Sequence, residues 1–101
     1  MSASDPIVRV TITGRVQGVG FRAFVEAGAA RRGLKGWVRN RRDGSVEAVF
    51  VGPEGIVDDM LAACRRGPPS AHVDRVDIEP GTAALLSNKR AGGAFEVLPT
   101  V

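Results

Sequence analysis

The feature that most constrains the fold is a glycine-rich segment, residues 14–22, with the sequence Gly-Arg-Val-Gln-Gly-Val-Gly-Phe-Arg. Glycine tolerates positive φ angles, so such a backbone can turn tightly between two regular elements. Several of its N–H groups can then converge on one small anion, and the N-terminus of a following helix adds unpaired donors. Arg22 can supply a planar fork of donors that matches a phosphate. The segment predicts a phosphate-sized anion site or a plain structural turn, and spacing alone does not separate the two.

The residues on either side of this segment predict a strand and a helix. Before it, residues 8–13 alternate between apolar and polar side chains, which is the pattern of a strand with one buried face. After it, residues 22–33 have the apolar spacing of a helix, and Gly33 is placed to end that helix. Gly28, inside the helix, is expected to permit close packing of the helix against a sheet.

The remaining elements complete a recognisable order. Strands are predicted over residues 36–40 and 46–51, joined by a hairpin turn at Asp43-Gly44, and a fourth strand is predicted over residues 72–79. Between the third and fourth strands, a second helix is predicted from Pro53-Glu54 to about Arg66, because Gly67-Pro68-Pro69 stops it.

The end of the chain predicts one more short element. Residues 81–93 are expected to form a loop of low order, followed by a last strand from Ala94 to Leu98. The full order is then β-α-β-β-α-β plus a short C-terminal strand. Right-handed crossovers place both helices on one face of a mainly antiparallel sheet. The predicted fold is therefore α+β, a ferredoxin-like α/β sandwich.

Two separate motifs give the chain its resemblance to the acylphosphatase family. The segment 14–22 matches one signature region of that family. Gly36-Trp37-Val38-Arg39-Asn40, followed by residues 43–47, matches the second region, in order and at the family's spacing. The resemblance covers about residues 6–98, and it implies the same ferredoxin-like fold in a single domain over residues 1–101.

The resemblance also implies an activity, which is the hydrolysis of acyl phosphates to a carboxylate and inorganic phosphate without a metal or organic cofactor. In the family, the arginine that ends the loop binds the phosphoryl group, and an asparagine after the Trp-Val strand positions the attacking water. These roles fall on Arg22 and Asn40. The N–H groups expected to cradle the phosphoryl oxygens are those of Gln17, Gly18, Val19, Gly20, Phe21 and Arg22. Neither catalytic residue is a base at neutral pH, so the proton of the water is expected to pass to the phosphate of the substrate.

Composition limits the partners and the compartment. The chain has 101 residues, which is long enough for one domain with a single core. Its net charge is +3. One cysteine excludes an intramolecular disulfide, the first residues lack signal-peptide features, and no apolar run could cross a membrane. We therefore expect a cytoplasmic location. The resemblance implies that the partners are a small acyl phosphate and inorganic phosphate, as product and inhibitor, and we expect a monomer.

A cluster of six basic residues lies within twelve positions: Arg31, Arg32, Lys35, Arg39, Arg41 and Arg42. A solvated surface is the favoured interpretation, and a field that attracts anionic substrate is the alternative. Arg41 and Arg42 depart from the family pattern, which often has a small or apolar residue and then Pro. Nucleic-acid binding is disfavoured because the basic residues are not interleaved with a series of aromatic residues, as a stacking surface would require. Trp37, the one aromatic residue among them, is expected to contribute packing. Two other function classes stay open. One is a non-catalytic ferredoxin-like module that binds an anion or nucleic acid, and the other is an accessory role similar to that of acylphosphatase-like domains in carbamoyl-transfer proteins.

Three other residues that could carry chemistry have simpler interpretations. Trp37 is expected to contribute packing. His72, the only histidine, has no Asp or Cys partner nearby in the sequence and is expected at the surface or in a strand. Cys64 shares a helical stripe with three apolar residues, which predicts a small core residue and not a nucleophile.

Overall fold

The computed structural model describes residues 5–88 and 95–101 of the chain. In chain order, its elements are β1 (Ile7–Arg15), α1 (Phe21–Arg31), β2 (Lys35–Asn40), β3 (Val46–Val51), α2 (Glu54–Arg66), β4 (His72–Pro80), a 3₁₀ helix (Ala83–Asn88) and β5 (Glu96–Val97). The predicted order β-α-β-β-α-β with a short last strand is therefore confirmed.

The sheet has five strands in the order β4-β1-β3-β2-β5. All neighbouring pairs are antiparallel except β2 and β5, which are parallel. Val10 and Ile12 of β1 are fully buried in one core with Val25 of α1 and Met60 of α2. Since both helices share this core, they cover the same face of the sheet, as the ferredoxin-like α+β sandwich requires.

The C-terminal end of α1 is fixed by hydrogen bonds around Gly33. The N–H of Gly33 donates to the carbonyl of Ala30 at 3.1 Å, and the N–H of Leu34 donates to that of Ala29 at 3.0 Å. Gly33 has a φ of +68°, so this is a Schellman motif. The helix covers Phe21–Arg31, not residues 22–33, because Arg32 is its C-cap and Gly33 follows the cap in the left-handed conformation.

The packing of the two helices corrects one expectation and confirms another. A Cβ on Gly28 would lie 3.0 Å from Cε of Met60, so this glycine permits a close approach of α1 to α2 and not to the sheet. Cys64 is fully buried in the core on the predicted stripe of α2. Burial raises the pKa of its thiol to about 12, so the thiolate is not available as a nucleophile.

The segment after β4 is more regular than expected. Residues 81–93 were predicted to be a loop, but Ala83–Asn88 form a 3₁₀ helix; residues 89–93 lie outside the described residues. The helix is fixed by a tertiary contact, since the indole Nε1 of Trp37 donates to the carbonyl of Leu85 at 2.8 Å. Trp37 is fully buried, as its packing role predicts.

The last strand is short, and it pairs with β2. β5 covers Glu96–Val97, whereas a strand was predicted from Ala94, which lies outside the described residues, to Leu98. Beyond the paired residues, the main chain still follows β2, because the N–H of Leu98 donates to the carbonyl of Val38 at 2.9 Å.

Candidate active site

The sheet brings the ends of two strands to one edge. β1 and β2 both run antiparallel to β3, which lies between them, so their C-terminal ends point the same way. Ile12 near the end of β1 and Asn40 at the end of β2 both pair with Val46. The residues that follow β1 therefore lie near Asn40, although they are distant in sequence.

Residues 16–20, here called the anion loop, connect β1 to α1. Gly18 and Gly20 have φ angles of +74° and +82°, which L side chains rarely adopt. A Cβ at either position would meet no atom within 4 Å, so the backbone conformation itself requires glycine and the space above the loop is open. Gly14 has a different role: a Cβ there would collide with the carbonyl of His72, at a β-bulge that follows Thr13.

The N-terminus of α1 is open to a ligand. Its N-cap is Gly20, no side chain caps the helix, and no acidic residue lies in the first turn. The first N–H groups of a helix have no partner within the helix, and the helix dipole makes this end positive. The start of α1 thus offers donors and a favourable field to an anion bound at the anion loop.

A cleft of about 370 Å³ lies at this edge of the sheet. Most of the residues predicted for the site line it, namely Gln17, Gly18, Gly20, Phe21, Arg22 and Asn40. Val19 does not; it is half-buried and packs against the core. Val97 and Glu26 also line the cleft, and sequence reasoning singled out neither. No sequence pattern signalled Val97, because its position depends on the docking of β5.

Arg22 is a half-buried cation in this cleft. Among the described residues it forms no ion pair, whereas Arg9, Arg39 and Arg41 each contact a carboxylate. A guanidinium without a carboxylate partner can direct its donors to an external anion.

Asn40 supplies an amide group on the other side of the cleft. Its main-chain carbonyl accepts a hydrogen bond from the N–H of Val101 at 3.2 Å. Its side-chain Oδ1 is buried and has no hydrogen-bond partner in the described part of the chain. A buried polar atom without a partner costs about 1–3 kcal/mol and is rare in folded proteins. Such an atom is expected where a ligand or a bound water completes the site.

Gln17 connects the anion loop to the turn that follows Asn40. Its Nε2 donates to the carbonyls of Arg41 at 2.7 Å and Ser45 at 2.8 Å. Sequence reasoning assigned only the backbone N–H of Gln17 and missed this contact, because the partners are defined by tertiary structure. The turn is further held by Asp43, whose Oδ1 accepts bonds from the N–H and hydroxyl of Ser45 at 2.9 and 2.6 Å. The bond from the Ser45 hydroxyl is the main reason that the pKa of Asp43 is lowered.

The helix-free face of the sheet carries a buried carboxylate. Glu47 is 1% exposed and contacts Arg9 at 2.6 Å, Arg39 at 2.8 Å and Arg41 at 3.1 Å. Burial alone would raise the pKa of Glu47, but the hydrogen bonds from Arg39 and Arg9 lower it overall. The guanidinium groups of Arg39 and Arg41 are thus paired with Glu47 on the face opposite the helices.

The same face gives no support to nucleic-acid binding. Arg39 lies 4.5 Å from the centre of the Trp37 ring, which is fully buried. All five aromatic residues of the chain lie in its described part, and none of their side chains is exposed. A surface for stacking bases requires exposed aromatic rings.

His72 and the acidic residues offer no second site. His72 is exposed on β4, as expected, but the prediction that it has no Asp partner was wrong: its Nε2 lies 3.2 Å from Oδ1 of Asp74. Within residues 5–88 and 95–101, no three His, Cys, Asp or Glu side chains are grouped as metal ligands are.

Within residues 5–88 and 95–101, no helix has the length and apolar character needed to span a membrane.

The fold and the cleft together define a class: a ferredoxin-like α+β protein with a small cleft suited to an anion. Residues 8–88 match the family model described as Acylphosphatase. The acylphosphatase of Bradyrhizobium diazoefficiens is 59% identical over 98 residues, covering 97% of this chain and 99% of that protein. The chain belongs to the acylphosphatase family.

Solved structures agree with this membership. The acylphosphatase of Bacillus subtilis superposes with a TM-score of 0.80 at 35% identity, covering 91% of this chain and 97% of that one. The structure of an acylphosphatase from Coxiella burnetii gives a TM-score of 0.82 at 31% identity, covering 97% and 100%.

Proposed function

We propose that this chain hydrolyses acyl phosphates to a carboxylate and inorganic phosphate. In this proposal, the anion loop and Arg22 hold the phosphoryl group, and Asn40 positions the attacking water. The observation that carries the proposal is the common cleft of the loop glycines, Arg22 and Asn40. Family membership and the activity in the relatives' names support the same reaction.

The phosphoryl group is bound by charge and by fixed donors. Phosphoryl transfer depends mainly on positioning and on stabilising the charge of the equatorial oxygens. The N–H groups from Gln17 to Arg22 and the guanidinium of Arg22 supply both, and they need no reorganisation during the reaction. Arg22 remains cationic at any working pH.

The water is oriented by a neutral amide. The Asn40 side chain offers an acceptor and donors, and its unpartnered Oδ1 supports a role in holding a polar ligand such as water. The leaving group is a carboxylate, so no strong general acid is needed. The P–O bond to the acyl oxygen breaks as water oxygen binds phosphorus, and the proton of the water passes to a phosphate oxygen.

We further propose that the protein acts as a cytoplasmic monomer and that inorganic phosphate inhibits it competitively. The only cysteine, Cys64, is free and buried, which suits a reducing compartment. Because phosphate as product has the same charged oxygens as the substrate, it should occupy the same donors. Sedimentation analysis of the purified protein tests the monomer.

Turnover of benzoyl phosphate tests the reaction itself. We expect release of benzoate and phosphate in equal amounts, with competitive inhibition by added phosphate. Binding of phosphate without turnover would contradict the proposed hydrolysis and favour a non-catalytic anion-binding module.

A further inference from the structure

A second concavity continues from the cleft along α1. This groove has a volume of about 540 Å³ and shares Ala23 and Glu26 with the cleft. It then follows α1 past Ala27 and Ala30, which line the groove but not the cleft. Ala23 and Ala30 are seven residues apart, so the groove extends along about 10 Å of helix.

The walls of the groove are mainly apolar. Ala27 and Ala30 are exposed, whereas Leu34 and Phe95 beneath them are 3% and 7% exposed and belong to the core. Apart from Glu26 and Lys35, the residues that line the groove are uncharged, and its floor is well packed. Apolar surface of this kind binds hydrocarbon because burial removes it from water.

Covalent geometry determines what can occupy the groove. In an acyl phosphate, the acyl group is bonded to a phosphoryl oxygen. While the phosphoryl group is bound, the acyl group must therefore extend from the cleft beside it. The groove opens from the cleft at Ala23 and Glu26. The carboxylate of Glu26 at this junction disfavours acyl groups that carry a negative charge near the carbonyl.

We propose that the groove is an acyl subsite that favours elongated apolar or aromatic acyl groups over acetyl. The inference rests on the proposed function, and it adds a substrate class that the phosphate contacts alone do not select. The acyl chain would lie against Ala27 and Ala30, over Leu34 and Phe95.

A chain-length series tests the subsite. We expect kcat/KM for hexanoyl phosphate to exceed that for acetyl phosphate by about tenfold or more, because additional methylenes are buried. Ala27→Phe, which fills the groove from an exposed helix position, should lower kcat/KM for hexanoyl phosphate at least about fivefold more than for acetyl phosphate. The matched control is Ala62→Phe on α2, which is exposed and lies outside the groove; it should leave the ratio of the two substrates unchanged.

Equal values for the two substrates in the unmodified protein, or equal losses in Ala27→Phe, would overturn the subsite and leave the hydrolysis intact. Alkyl phosphonates, which are not hydrolysed, separate the two proposals further. Hexylphosphonate should bind more tightly than methylphosphonate, and Ala27→Phe should abolish the difference. If neither acyl phosphate is hydrolysed, the proposed function fails, and the phosphonate difference still decides whether the groove binds alkyl chains.

Discussion

The side-chain amide of Gln17 lies 2.7 Å from the main-chain carbonyl of Arg41, and it donates to the carbonyl of Ser45 as well. This relationship links the two halves of the candidate site. Gln17 is part of the anion loop, and Arg41 directly follows Asn40. The Gln17 amide therefore ties the anion loop to the turn that follows the proposed water-positioning residue, in addition to the pairing of β1 and β2 with β3.

Removing this link should affect rate more than binding. In Gln17→Ala, the anion loop keeps its N–H groups but loses its tie to the turn that follows Asn40, so the position of the loop relative to Asn40 is less well fixed. Misplacement by about 1 Å can cost on the order of a hundredfold in rate, so we expect kcat to fall at least about tenfold with a smaller change in KM. Steady-state kinetics with benzoyl phosphate measure both constants.

Gln17→Glu tests the two donated hydrogen bonds separately from the size of the side chain. A carboxylate has nearly the same shape as the amide but cannot donate to two carbonyls. It should therefore be at least as impaired as Gln17→Ala. A Gln17→Glu variant with unchanged kcat would show that the two hydrogen bonds do not position the site.

Replacement of Arg22 should weaken both binding and rate. Arg22→Gln removes charge-assisted contacts to the phosphoryl group, and we expect kcat/KM to fall by on the order of a hundredfold. Arg22→Lys should recover only part of the loss, because an ammonium lacks the planar fork. Arg66→Gln, at an exposed position on α2, serves as the control. Retention of more than about a tenth of kcat/KM in Arg22→Gln would exclude the assigned role.

Asn40→Ala should separate water positioning from phosphate binding. We expect kcat to fall about a hundredfold while the inhibition constant for phosphate changes less than about twofold. The free energy of unfolding should not decrease much, because Oδ1 has no partner to lose among the described residues. A large loss of phosphate affinity would instead place Asn40 against the anion.

Glu47 should make stability depend on acidic pH. The pKa of Glu47 is lowered from its ordinary value of 4.5, so its stabilisation is present above that value and is lost as the pH falls through the folded-state pKa. Glu47→Gln should lower the free energy of unfolding at neutral pH by about 3 kcal/mol, because three arginines lose a buried partner. It should also flatten the acid dependence below about pH 4.5.

Urea denaturation at neutral and acidic pH measures this effect. Glu79→Gln is the matched control, because Glu79 also contacts Arg9 but its side chain is 57% exposed. Surface pairs contribute less than about 1 kcal/mol, so this variant should resemble the unmodified protein. Equal destabilisation by both variants would mean that burial of the Glu47 carboxylate does not determine how much this residue contributes to the free energy of unfolding.

Arg41 and Arg42 should not steer the substrate to the cleft. The Arg41 guanidinium contacts Glu47, and neither Arg41 nor Arg42 lines the cleft. We expect kcat/KM of the double variant Arg41→Ser/Arg42→Ser to fall with ionic strength in parallel with the unmodified protein. A lower value at low salt with a flatter dependence would instead indicate electrostatic steering.

Local patterns in the sequence were sufficient for the order of elements, whereas the proposed site residues came from the resemblance to the family. Alternation in residues 8–13 and the glycines at 18, 20 and 33 act within a few residues, and their conformations follow from backbone sterics alone. The resemblance then assigned roles to Arg22 and Asn40, and the structure places both in one cleft.

What the sequence by itself determined was therefore the succession of elements and the local conformation at each turn. Only the tertiary structure decided the Gln17 link, the three arginines around Glu47, the 3₁₀ helix anchored by Trp37 and the contribution of Val97 to the cleft. The Gln17 link, the Arg9–Glu47 pair and the Trp37–Leu85 contact join residues that are 24 to 48 positions apart. Arg39 and Arg41 lie only 8 and 6 positions from Glu47, across the β2–β3 hairpin. They exist because the strand order and register bring those residues together. The turn signal at Asp43-Gly44 predicts that β2 pairs with β3, but no local pattern specifies which strands flank that hairpin in the sheet.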